Sequence, residues 1–178
     1  MSNNQGRNGS ALRPRARIMK TLGDELISND AVAVIELVKN AYDADAGRVL
    51  IKFVGPLLSG QGRVEIFDDG SGMSLDVVRG AWMEPATPGK RQITKSGRKS
   101  RRVLGEKGIG RFAALRLASE LELITRARGT DVEVYGLFDW TQFEDEQKYL
   151  DQVLILTEER VPEDIPNKPR KPLALAMG

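Results

Sequence analysis

The sequence predicts an α+β protein built as a two-layer sandwich, in which helices cover one face of a mixed and mostly antiparallel sheet. Helical periodicity comes first along the chain, β-rich runs follow, and one further helical segment separates two groups of these runs. This order fits a sandwich better than the regular alternation of a doubly wound fold. The length of 178 residues is sufficient for one domain with a hydrophobic core.

Two helices are predicted near the start of the chain. Apolar residues recur with helical spacing between Arg15 and Ile27, which indicates a short helix. Asn29 and Asp30 are typical capping residues for a second helix. We expect Gly47 to end this helix and an apolar stripe along it to pack on the sheet: Ala31, Val34, Ile35, Val38, Ala41 and Tyr42.

The strands are predicted from short β-rich runs bounded by turn residues. Residues 48–54 and the run "RVEIF" before an Asp-Gly turn form a predicted hairpin. Ser74 is expected to cap a short helix that reaches Trp82. After a helix beginning near residue 112, further strands are predicted in "LELITRAR" (121–128), "DVEVYGLFDW" (131–140) and "VLILTEE" (153–159).

Composition excludes several classes of function. Charged residues are 29% of the chain but the formal net charge is only +2, which does not favour a polybasic nucleic-acid binder. There is no cysteine or histidine, so thiolate nucleophiles, imidazole bases and a phospho-accepting histidine are absent from this sequence. It also has neither an apolar run long enough for a membrane helix nor a signal-peptide core, and we expect a cytoplasmic protein without a membrane partner.

The chain is expected to comprise a mobile basic arm at residues 1–14 and one domain at 15–178. Residues 84–105 combine proline, glycine and many basic residues without an apolar period, which is typical of a loop. The final "AMG" resembles the start of a strand, and we expect the domain to be truncated before its last core strand.

The pattern Glu-x-x-x-Asn occurs twice. Glu25 and Asn29 fall at the end of one predicted helix and the start of the next, so capping explains them. Glu36 and Asn40 lie about 40° apart around one helix, and Asp43 lies about 60° back from Asn40. A carboxylate in this strip could activate water while the amide oxygen binds a hard cation, although a solvated helix face also accounts for the pattern.

Two glycine-rich segments are further candidates. In "DDGSGM" (68–73), Asp68 at a strand end could accept a hydrogen bond from an exocyclic amine, and the glycines would allow a flat ligand to approach. In "GEKGIGR" (105–111), glycines lead into a helix whose first amides could bind phosphate. A plain hairpin turn and an ordinary glycine loop are the alternatives for the two segments taken singly.

Together and in this order, the segments resemble the GHKL ATPases, the family of gyrase B, MutL, ninety-kilodalton heat-shock chaperones, histidine kinases and MORC proteins. The resemblance covers about residues 15–140 and is nearest to bacterial chaperone-like or MORC-like members. It implies the Bergerat ATP-binding fold, ATP and Mg²⁺ as cofactors, and residues 84–105 as the lid. Histidine kinases usually carry an amide where this chain has Glu36, so the resemblance favours hydrolysis.

The resemblance also implies roles for individual residues. Glu36 would be the catalytic base, Asn40 the Mg²⁺ ligand, and Asp68 the acceptor for the adenine amino group. The remaining residues expected to line the ATP site are Asp43, Ala44, Gly70, Gly72, Met73, Gly105, Lys107, Gly108, Ile109, Gly110, Arg111 and Phe112.

The implied activity is slow ATP hydrolysis by the N-terminal domain of a larger protein, coupled to lid closure or homodimerisation. The alternatives are a nucleotide switch that does not hydrolyse ATP and a nucleic-acid-binding module that uses the basic arm and lid. The lid sequence "KRQITKSGRKSRR" (90–102) could contact the triphosphate, contact nucleic acid, or serve solubility.

The resemblance also includes a threonine that follows a late glycine and supports the adenine-binding aspartate. Thr130 lies too early in the chain for this role.

Overall fold

The fold is described from a computed structural model, over residues 11–57, 61–84, 95–105, 112–162 and 174–176. Within these ranges, three α-helices span Ile18–Leu26 (α1), Asp30–Asp43 (α2) and Phe112–Leu117 (α3). The strands described there are Val49–Val54 (β1), Arg63–Asp68 (β2), Glu120–Thr125 (β3), Glu133–Asp139 (β4), Leu156–Arg160 (β5) and Ala174–Ala176 (β6).

All pairings between the described strands are antiparallel. β1 and β2 form the predicted hairpin, with Val49 opposite Asp68. The other four strands form a sheet in the order β5-β4-β3-β6, and β6 also lies close to β2. The α+β class and the mostly antiparallel sheet are therefore confirmed.

The core lies between the helices and one face of the strands. Alternate residues of β2 and β4 are buried, and helices α1 and α2 both pack against α3. The largest fully buried side chains are Phe138, Ile27, Ile66, Leu121, Leu123, Val78 and Val134. Asp68 follows Val64 and Ile66 on the inward-facing side of β2, so the strand's alternation carries a carboxylate to the edge of the core.

Helix α2 begins as predicted, because the Asn29 side chain accepts a hydrogen bond from the Val32 amide over 3.0 Å. The predicted apolar stripe is wrong except at Ala41, however. The buried face consists of Ala33, Leu37 and Ala41, whereas Ile35 is 52% exposed.

The physical reason is close packing between helices. The α2 face meets α3, whose Ala113 and Ala114 are completely buried, and small side chains permit that approach better than β-branched ones. The observed buried face is rotated by about 100°, one residue, from the predicted stripe. The strip of Glu36, Asn40 and Asp43 therefore borders the core.

Other boundaries differ by a few residues. Helix α2 ends at Asp43 rather than near Gly47, because Asp45 already adopts a left-handed conformation with φ of 63°. Ser74 begins a short helical segment as expected, but Val77–Trp82 is π-helical, with the Met83 amide donating to the Val78 carbonyl over 2.9 Å.

Part of the predicted arm is described. Arg13 binds Asp151 over 3.2 Å, and the Leu150 amide donates to the Pro14 carbonyl over 3.0 Å. The guanidinium groups of Arg13 and Arg15 lie 4.0 and 4.1 Å from the Tyr149 ring centroid. Residues 1–10 of the arm lie outside the described residues.

Candidate nucleotide-binding site

Helix α2 presents the proposed base and metal ligand on neighbouring turns. Glu36 lies beside the buried face, with 16% of its side chain exposed, and accepts a hydrogen bond from Lys39 Nζ over 2.6 Å. Asn40 is half-buried. The first two members of the predicted polar strip thus lie at the edge of the core, where the ammonium group of Lys39 pairs with the Glu36 carboxylate.

The end of α2 contacts the glycine turn that follows β2. The Ser71 amide donates to the Ala44 carbonyl over 2.8 Å. A Cβ atom added to Gly70 would lie only 2.8 Å from that carbonyl oxygen and 2.7 Å from Asp68 Oδ1. Glycine at position 70 therefore permits a close contact between α2 and the Asp68 turn, which brings these two predicted segments together.

Asp68 lies at the centre of this contact. It is 9% exposed, and its Oδ1 accepts the Gly70 amide over 2.8 Å. Burial raises the pKa of the Asp68 carboxyl above its usual value, partly opposed by the Gly70 hydrogen bond. The carboxylate retains acceptor capacity beyond this bond, so it can accept a hydrogen bond from a ligand amine.

The turn is also fixed to strand β3. Gly72 has φ of 67°, and an added Cβ would lie 1.8 Å from the Arg126 carbonyl oxygen. Next to it, the Met73 amide donates to Thr125 Oγ1 over 2.9 Å. Thr125 is 3% exposed and was not predicted from the sequence as part of the site. Its position as a polar residue on the buried side of an apolar strand was the signal that could have found it.

A second aspartate, Asp69, was also missed. Its Oδ1 accepts the backbone amides of Gly47 and Arg48 over 2.5 and 2.9 Å. These amides hold the pKa of the Asp69 carboxyl below its usual value. Asp69 therefore links the start of β1 to the end of β2, while its neighbour Asp68 faces the core.

Asp43 connects α2 to the segment that precedes the glycine loop. Its two carboxylate oxygens accept the amides of Leu104 and Gly105 over 2.8 and 2.9 Å. Phe112, at the start of α3, is only 4% exposed and belongs to the core. The predicted site residues Lys107, Gly108, Ile109, Gly110 and Arg111 lie outside the described residues, as do residues 85–94 of the predicted lid.

The oxygen donors of Glu36 and Asn40 suit a cation that takes most of its ligands from water and substrate. Within the described part of the chain there is no cluster of three or more acidic side chains that could hold a metal ion. Mg²⁺ is commonly held by one or two protein oxygens together with substrate phosphates and water. The half-buried Asn40 amide beside Glu36 fits that mode of binding, in which the protein supplies few ligands.

Three features together define a candidate nucleotide site on an α+β sandwich: a helix carrying an acid and an amide, an aspartate at a strand end, and the Leu104 and Gly105 amides held by Asp43. A sequence model of the histidine kinase-, DNA gyrase B- and HSP90-like ATPases matches residues 27–167. The chain belongs to this family, which is the GHKL superfamily recognised from its motifs. Family membership supports ATP binding and hydrolysis in general terms.

Curated relatives include proteins named DNA mismatch repair protein MutL. That of Parabacteroides distasonis is 33% identical over 108 residues, covering 61% of this chain and 17% of the relative. That of Deinococcus radiodurans is 38% identical over 102 residues, covering 57% and 18%. The alignments thus span under a fifth of either relative, and the chaperone-like or MORC-like subtype stays a prediction.

None of the helices within the described ranges is long and apolar enough to cross a membrane.

Proposed function

We propose that this chain binds ATP with Mg²⁺ and hydrolyses it slowly, as the ATPase domain of a larger protein. The single observation that carries the proposal is the contact between the Asp68 turn and helix α2, made by the Ser71 amide and the Ala44 carbonyl over 2.8 Å. This contact brings Asp68, a hydrogen-bond acceptor for a nucleobase, close to helix α2, which carries Glu36 and Asn40. Adenine and triphosphate could therefore be bound by adjacent segments.

Asp68 is proposed to recognise adenine. A buried carboxylate can accept a hydrogen bond from the adenine N6 amino group, whereas guanine presents a carbonyl oxygen there and would repel it. Gly70, Gly72 and Met73 would border the base, since the turn that contains them is fixed by Ala44 and Thr125. Discrimination between ATP and GTP is the expected consequence.

Asn40 and Glu36 are proposed to act on the phosphate end. Asn40 would supply one oxygen to Mg²⁺, which neutralises charge on the phosphates when bound. Glu36 would accept a proton from the attacking water through its carboxylate, whose Oε1 is also held by Lys39. The glycine segment beginning at Gly105, with Lys107, would contact the phosphates through backbone amides and one ammonium group.

Closure of the lid and homodimerisation are proposed to follow ATP binding in the full chain. Such conformational steps limit turnover in many enzymes, so hydrolysis is expected to be slow.

Adenine recognition is tested by binding of ATP and GTP to wild-type protein and Asp68→Asn. We expect wild-type protein to prefer ATP, and Asp68→Asn to weaken ATP binding at least about tenfold, because the amide can present hydrogen atoms to the adenine amine. Asp76→Asn is the matched control, since Asp76 is exposed near the same turn. Unchanged ATP affinity in Asp68→Asn would contradict the assignment.

A nucleic-acid function is the second candidate. It is favoured by the basic residues Arg98, Lys99, Arg101 and Arg102 and by the name of the MutL relatives as DNA mismatch repair proteins. Salt-dependent DNA binding with a steep slope, indifferent to both ATP and Asp68→Asn, would support this candidate over the ATPase. DNA binding that requires ATP would instead make it an output of the nucleotide site.

A further inference from the structure

Asp45 is a buried carboxylate outside the strip of Glu36, Asn40 and Asp43. It is 4% exposed and lies two residues beyond the end of α2. Three donors from one turn of the lid surround it: Ser96 Oγ at 2.5 Å, the Arg98 amide at 2.6 Å and the Lys99 amide at 3.2 Å. One carboxylate therefore satisfies a hydroxyl and two amides that are distant in sequence.

The turn that binds Asp45 is closed on itself. Ser96 is 5% exposed, and its hydroxyl oxygen accepts the Arg101 amide over 2.9 Å. The Ser96 amide donates in turn to the Arg101 carbonyl over 2.8 Å. These two hydrogen bonds join the ends of the segment from Ser96 to Arg101, so a group that binds one part of the turn restrains all of it.

Arg101 adds a second link to α2. Its guanidinium donates to the Ala46 carbonyl over 2.7 Å and lies 4.7 Å from the centroid of the Tyr42 ring. These contacts flank Asp45 on the helix side. The Ser96 hydroxyl, followed by the two amides, also holds the pKa of the Asp45 carboxyl below its usual value, so it is charged at neutral pH.

The segment bound by Asp45 leads directly into the segment bound by Asp43. Leu104 and Gly105 follow the turn by a few residues, and Asp43 accepts both of their amides. Neighbouring carboxylates at the end of α2 therefore hold consecutive parts of residues 96–105. Because Asn40 lies on the same helix as Asp43, the positions of the two carboxylates fix the distance between Gly105 and Asn40.

We propose that Asp45 is a positioning residue, which fixes the Ser96–Arg101 turn to α2 and thereby sets the position of Gly105 relative to Glu36 and Asn40. The inference rests on the proposed function for its catalytic consequence. Its structural part, attachment of the turn through a carboxylate, is independent of ATP.

The structural part is tested by trypsin digestion of the full chain without nucleotide, with cleavage at Arg98 and Lys99 followed by mass spectrometry. Asp45→Gly removes the carboxylate while glycine tolerates the φ of 63°. We expect cleavage at least about tenfold faster than in wild-type protein, because opening of the turn exposes both sites. Added formate should restore protection by occupying the place of the missing carboxylate.

Asp139→Asn is the matched control, because Asp139 also accepts a hydroxyl and an amide, both from Thr141, but lies on β4. It should leave cleavage at Arg98 and Lys99 unchanged. If Asp45→Gly does not fold, judged by thermal unfolding, Ser96→Ala removes the hydroxyl that joins the turn to Asp45 and should also accelerate cleavage. Wild-type protection in whichever variant folds, or protection that is lost in Asp45→Gly and not restored by formate, overturns the proposal.

The catalytic part is tested by steady-state kinetics. Asp45→Gly should raise the KM for ATP at least about fivefold with kcat within about twofold, because a misplaced Gly105 segment weakens ground state and transition state alike. Formate should lower the KM again. An unchanged KM overturns this part, whereas absence of ATP hydrolysis in wild-type protein contradicts the proposed function and leaves the trypsin result to decide the attachment.

Discussion

The carboxylate of Glu36 accepts a hydrogen bond from the Lys39 ammonium over 2.6 Å, three residues further along α2. Glu36 has 16% of its side chain exposed and Lys39 37%. The pair leaves the second carboxylate oxygen of Glu36 available to a water molecule. Lys39 therefore limits the orientations of the proposed base without occupying both of its acceptor atoms.

Loss of this ion pair should have a small effect on catalysis. A half-exposed pair is worth about 1 kcal/mol or less, so Lys39→Met should lower kcat by no more than about fivefold while ATP affinity is retained. Steady-state phosphate release and equilibrium binding measure the two effects. Lys20→Met removes the surface pair with Glu144 and is the control, which should change neither kcat nor ATP affinity. A fall in kcat in Lys39→Met as large as that in Glu36→Ala would show that Lys39 itself acts in the reaction.

Gly72→Ala should severely destabilise the protein. A Cβ at this position would lie 1.8 Å from the Arg126 carbonyl oxygen, in a left-handed backbone conformation. We expect the free energy of unfolding to fall by about 3 kcal/mol or more, as measured by urea denaturation. Gly80→Ala is the matched control, because an added Cβ there meets nothing within 4 Å; equal stability of the two variants would contradict the geometry of the turn.

Stability should depend on pH through Asp68. Burial raises the pKa of this carboxyl above the usual 3.8, so the folded state binds a proton more tightly than the unfolded state. Its contribution to stability is present below about the unfolded pKa and is lost as the pH rises through the raised pKa. The stability of Asp68→Asn relative to wild-type protein should therefore increase across that window and then become constant. A relative stability that falls as the pH rises would contradict the direction of the shift.

The sequence predicts the fold well where local patterns decide it. The Asn29 cap, the β1–β2 hairpin and the strands β3 and β4 are all confirmed, because capping chemistry and strand alternation are local properties. The buried face of α2 could not be predicted correctly. It depends on the alanines of α3, which lie some 70 residues away in the chain.

The candidate site is predicted in part. Asp68 and its glycines follow from a strand that ends in an Asp-Gly turn, and the structure brings them to the end of α2. Thr125 and Asp45 could not be assigned, since their roles depend on backbone amides of Met73 and of the Ser96–Arg101 turn. Thr125 ends β3 and does not follow a glycine, so the Gly-Thr pattern does not point to it.

We propose that Glu36 activates water in a site that binds ATP independently of this side chain. The most direct measurement is phosphate release from Mg-ATP by wild-type protein and Glu36→Ala, with ATP affinity measured on the same samples. We expect slow phosphate release in wild-type protein and a loss of at least about 100-fold in Glu36→Ala, with ATP affinity within about threefold of wild type. Retained binding without any wild-type hydrolysis would favour a nucleotide switch, and unchanged phosphate release in Glu36→Ala would contradict the assignment of Glu36 as the base.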